Sequence, residues 1–109
     1  MDGKTYDLFG FTADDLHDAR AKVEGALQVK LGMYESGFNG GEHYRLGAPG
    51  GEHFILERNF YPSENIWTEP DHRDIKFLFA ANETSRGARL EEILKAAIPG
   101  LKLIRRERI

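Results

Sequence analysis

Two spacings of apolar residues divide the chain. In residues 4–11, KTYDLFGF, Tyr6 and Leu8 alternate with Asp7, Phe9 and Phe11, the period of a strand with both faces partly covered. Thr12 with Asp15 three residues on resembles a capping box, with Asp in place of Glu. Leu16, Ala19, Val23, Ala26 and Leu27 then recur at helical spacing and predict a helix over about residues 13–28. Lys30 to Phe38 reads as a second strand, interrupted by Gly32 and Gly37. Asn39-Gly40-Gly41 is a turn signal, because Asn and Gly tolerate positive φ. Glu42–Leu46 is a third strand, GAPGG a turn, and Glu52–Tyr61 a fourth strand. Residues 62–73, PSENIWTEPDHR, have two prolines and no period, and read as a long loop. DIKFLFAAN is a continuous apolar run, the best candidate for a central strand covered on both faces. Thr84 or Ser85 then caps a helix whose core face is Leu90, Ile93, Leu94, Ala97 and Ile98. Pro99-Gly100 ends that helix, and Leu101–Ile109 is the last strand.

The resulting order is β-α-β-β-β-β-α-β. It predicts an α+β fold, with two helices on one face of a mixed, mostly antiparallel sheet of about six strands. The order is related to a ferredoxin-like split β-α-β with an added hairpin. Residues 1–109 make one domain, long enough for a real core and too short for a second.

Composition narrows the function. Without cysteine, disulfides, thiol nucleophiles and thiolate metal sites are excluded. No apolar run approaches the roughly 20 residues that span a bilayer. MDGKTYDLFGF lacks the basic-then-apolar layout of a signal peptide. A cytoplasmic location without a membrane partner is the expectation. A net charge of −3 argues against nucleic acid. The charge is uneven. Residues 1–19 hold five acids against one Lys, and residues 61–74 hold four against one Arg. The last nine residues reverse this, with Lys102, Arg105, Arg106 and Arg108 against Glu107, as in an edge strand blunted by charge.

Catalytic chemistry finds little support. Gly-Gly-Glu-His-aromatic occurs twice, ending at Tyr44 and at Phe54. If Leu46 faces Glu52 across the GAPGG turn, Tyr44, Phe54, Glu42 and Leu56 share one face. His43, Arg45, His53, Ile55 and Glu57 share the other. Each Glu then points away from its neighbouring His, and Arg45 between the histidines would repel a cation. No metal and no cofactor is assigned. No helix follows either glycine pair, so neither is a phosphate-cradling loop. Ser36, Ser63 and Ser85 sit in no nucleophile elbow. Asp14, Asp15 and Asp18 suit a solvated helix N-terminus. No catalytic residue is assigned, and a non-enzyme is expected.

The loop YPSENIWTEPDHRD is more informative. It carries the only Trp, Trp67, with Ile66 beside it and Glu64, Glu69 and Asp71 around it. An aromatic anchor among carboxylates is the composition of an interface that faces a basic partner. Glu64, Trp67, Glu69 and Asp71 are therefore the candidate partner-binding residues.

YDLFGF, a helix, GGEHYRLG…GGEHFILERNF, IWTEPDHRD and the ending LIRRERI together resemble small bacterial proteins. Some of these are similar to immunity proteins of polymorphic toxin and contact-dependent inhibition systems. The resemblance implies a cytoplasmic, non-enzymatic inhibitor that binds one cognate toxin domain, and the acidic loop suits a basic nuclease toxin. A second reading is a small-molecule or metal-binding protein of the glyoxalase/bleomycin-resistance type, with ligands from His43, His53 and Glu57. A third is a domain that self-associates through an edge strand.

Overall fold

The structure, a computed structural model, describes residues 3–36, 41–62 and 64–109. The expected strand end at Phe38, the Asn39-Gly40 turn signal and Ser63 lie outside them. The strands are β1 Thr5–Phe11, β2 Gly32–Ser36, β3 Gly41–Leu46, β4 His53–Arg58, β5 Phe60–Tyr61, β6 Ile66–Trp67, β7 Phe77–Thr84 and β8 Lys102–Arg108. Helix α1 spans Leu16–Leu27 and α2 spans Gly87–Ala97. Six strands form one sheet in the order β2-β3-β4-β7-β1-β8, and every neighbouring pair is antiparallel. The α+β order expected from the periodicities is the one observed. β7 and β8, joined by α2, flank β1. The run β8-β1-β7-β4 is thus a ferredoxin-like split pair, and the hairpin β2–β3 extends it beyond β4.

One face of the sheet carries the core. Across β1 and β7, Phe9 faces Phe79 and Phe11 faces Phe77, with ring centroids 6.4 and 6.2 Å apart. Phe54 on β4 meets Phe79 at 5.3 Å. Leu16, Ala19 and Val23 of α1 and Leu90 and Leu94 of α2 close over these rings, all buried in one cluster. β7 is central, as its unbroken apolar run suggests, and Leu78 on its second face is also buried.

Four details depart from expectation. The α1 cap lies three residues later than Thr12: Asp15 is the N-cap, its Oδ1 accepting from Asp18 N at 2.7 Å. Neither Thr84 nor Ser85 caps α2. Arg86 holds that position with no side-chain bond to the helix end, and Thr84 Oγ1 instead accepts from Arg86 N and donates to Glu52. The β3–β4 register pairs Leu46 with Phe54 and Tyr44 with Leu56. That is two residues from the expected pairing, an even slip that leaves every side chain on its expected face. The fourth strand breaks at Asn59, and part of the expected loop is ordered. β5 and β6 pair through Phe60↔Trp67 and Tyr61↔Ile66, and a 3-10 turn follows over Pro70–His72.

The uneven charge is resolved inside the fold. β8 is an edge strand, and Lys102, Arg105 and Arg106 meet Asp74, Glu69 and Asp7. No helix of the described residues is long and apolar enough to cross a membrane.

Candidate binding surface

The segment from Asn59 to Lys76 is fixed by one side chain. Asn59 is fully buried where β4 bends into β5. Its Nδ2 donates to the carbonyls of His72 and Ile75, both at 2.9 Å, and its Oδ1 accepts from Glu69 N at 2.8 Å. Its backbone joins in: Asn59 N donates to Lys76 O at 2.9 Å, and Asn59 O accepts from Thr68 N at 2.8 Å. A loop without a hydrophobic period is thereby given one conformation, since buried amide groups are costly to leave unmatched.

The four sequence-assigned residues fall in different surroundings. Trp67 is half-buried, its ring 4.7 Å from that of Phe60 and under the Arg73 guanidinium at 5.5 Å. It lines a cavity of about 460 Å³ between the loop and the start of α1. Arg58, Arg73 and Lys76 also line this cavity, as do Asp14 and Asp15. The surroundings of the indole are therefore mixed in charge. Glu64 and Asp71 are exposed, as is Ile66 between them. Glu69 turns to the open face of the sheet, where its carboxylate accepts from Arg105 of β8. That contact holds the Arg105 guanidinium above its usual pKa. Trp67 and Glu69 line separate cavities, and the second, about 210 Å³, includes Leu8, Ile55, Leu78 and Ala80.

Glu57 underlies the same segment. Its carboxylate accepts from the Thr68 hydroxyl at 3.4 Å. Burial raises its pKa against the lowering effect of the Tyr61 and Thr68 hydroxyls. Burial, and then the nearby Glu57 charge, push the Tyr61 hydroxyl well above the ordinary tyrosine value.

His43, Arg45, His53, Ile55 and Glu57 share one sheet face, as alternation requires, but the histidines are not brought together. His43 stacks on Tyr34 at 5.9 Å. His53 is buried, its Nδ1 donating to the Gly51 carbonyl at 2.9 Å and lying 3.4 Å from Glu83. Among the described residues no group of three His, Asp or Glu could hold a metal. β7 also separates β4 from β1, so β1 to β4 do not form one contiguous sheet. Both observations weigh against the glyoxalase-type reading.

Asn59 and the cations around Trp67 were missed from the sequence. The one signal for Asn59 was an amide residue inside an apolar strand, a type depleted there. Comparison of the chain with protein-family models, with curated proteins and with solved structures finds no match in any of the three.

Proposed function

We propose that the protein is a cytoplasmic bacterial binding module of the immunity type, which neutralises a cognate toxin by direct contact through the 59–76 segment. The observation that carries this reading is the Asn59 network. Together with the short β5–β6 pair, it ties the exposed loop to the end of β4. Pre-organisation of this kind removes the ordering cost that a flexible loop would meet on binding. Ile66, one side of the Trp67 indole, and the Glu64 and Asp71 carboxylates form the contact. Glu69 acts as a positioning residue through Arg105. The two exposed acids favour a partner with a basic face, such as a nuclease domain.

The test is growth rescue. Cells expressing the toxin encoded beside this gene should survive when the protein is co-expressed, and the two proteins should co-elute. Ile66→Asp combined with Trp67→Ala should abolish both effects while the circular dichroism of the free protein stays unchanged. The absence of an adjacent toxin gene, or rescue indifferent to the double variant, would overturn the proposal.

A further inference from the structure

The two helices begin differently. The first turn of α1 is closed by its own carboxylates, Asp15 and Asp18. The first turn of α2 has no side-chain cap and no acidic residue. The first N–H groups of any helix lack partners within it, and the aligned peptide dipoles place about half a positive charge there. A cavity of about 310 Å³ opens over this turn, and Thr5, Ser85, Gly87, Ala88, Arg106 and Arg108 line it. It lies at the end of β7 remote from the Trp67 loop.

A second observation points into the same place. Thr5 is only 7% exposed, and its buried Oγ1 has no hydrogen-bond partner among the described residues. That oxygen faces the first turn, 3.1 Å from where a Cβ on Gly87 would stand. A buried hydroxyl without a partner is uncommon and calls for an explanation.

The charges around the cavity decide the sign of the ligand. The Asp7 carboxylate packs against Gly87, nearer to it than Thr5 Oγ1, and Arg106 Nε and Nη2 hold that carboxylate at 3.0 Å each. Glu91 lies 3.2 Å from Arg106 and 2.8 Å from Lys95, so these four groups balance. Arg86 is engaged by Glu52. Arg108 has no ion-pair partner among the described residues, and its charge adds to that of the helix end.

We propose that this cavity binds a phosphate group, either free phosphate or the terminal phosphate of a small monoester. The first-turn N–H groups and the Ser85 and Thr5 hydroxyls donate to its oxygens, and Arg108 supplies a counter-charge. The site is independent of the loop and of any partner bound there.

Calorimetric titration of the full chain tests it, with inorganic phosphate and glycerol 3-phosphate in separate arms at constant ionic strength. One saturable site is expected in at least one arm, and the tighter arm identifies the source. Ala88→Asp places a carboxylate on an exposed first-turn position. It should raise the melting temperature of the free protein and weaken phosphate binding at least tenfold. Thr5→Val should also stabilise the free protein, yet weaken binding several-fold, which a purely structural Thr5 would not do. No saturable binding in either arm, or unchanged affinity in both variants, overturns the proposal.

Discussion

Asn59 and Glu69 are joined twice across ten positions of chain. Glu69 N donates to Asn59 Oδ1 at 2.8 Å, and Asn59 Nδ2 reaches the Glu69 carbonyl at 3.5 Å. Asn59→Ala orphans several buried backbone groups and should cost on the order of 3 kcal/mol in urea denaturation. Hydrogen exchange should show lost protection at Thr68, Glu69 and Ile75, with α1 and α2 still protected.

Asp7 and Arg106 form a pair with 0% and 27% side-chain exposure. Arg106→Met strands a buried carboxylate and should destabilise the fold by about 3–5 kcal/mol. Adding Asp7→Leu should restore most of that loss, because the desolvated charge goes with it. A denaturation series on the single and double variants checks this.

Two glutamates should respond to pH with opposite sign. Burial raises Glu57 above the ordinary value of 4.5, so its contribution is full below that value and is lost as pH rises through the raised one. Glu57→Gln should therefore melt increasingly higher than the parent as pH climbs above 4.5. The hydrogen bond from Arg86 lowers Glu52, so that contribution is present above 4.5 and is lost as pH falls through the lowered value. The deficit of Arg86→Ala should be visible at neutral pH and close on acidification. It should stay at or below about 1 kcal/mol, because Arg86 is half exposed.

The glycines of the GAPGG turn are not equivalent. Gly47 has φ +82°, and a Cβ there would lie 2.6 Å from the Glu52 carbonyl oxygen. Gly51 has open space around it. Gly47→Ala should cost about 1–3 kcal/mol, and Gly51→Ala close to nothing, measured by thermal melts.

These contrasts show what the sequence could reveal. Period-two alternation placed Tyr44, Phe54 and Leu56 on the core face and His43, Arg45, Ile55 and Glu57 on the other. Alternation fixes parity only, so a slip of two residues between β3 and β4 was invisible to it. The turn conformation set by Gly47 decides that register, and no pattern encodes it. The loop was legible as a place of interest through Trp67 and its acids. Its order was not, because it rests on the reach of one amide to carbonyls up to sixteen residues away. The α2 start shows the same limit: Thr84 and Ser85 are good capping types, yet tertiary contact with Glu52 draws Thr84 elsewhere.

The position of β7 in the sheet has a consequence for biosynthesis. β1 has two neighbours, β7 and β8, and both come from the far end of the chain. While the protein emerges from the ribosome, β2, β3 and β4 can zip together as soon as Arg58 is out. β1 has to wait for Phe77 and the residues after it, with Phe9 and Phe11 uncovered. Such long-range closure is slow and open to wrong pairings. β1, made before the other strands of this sheet, is thus among the last of them to be sheltered.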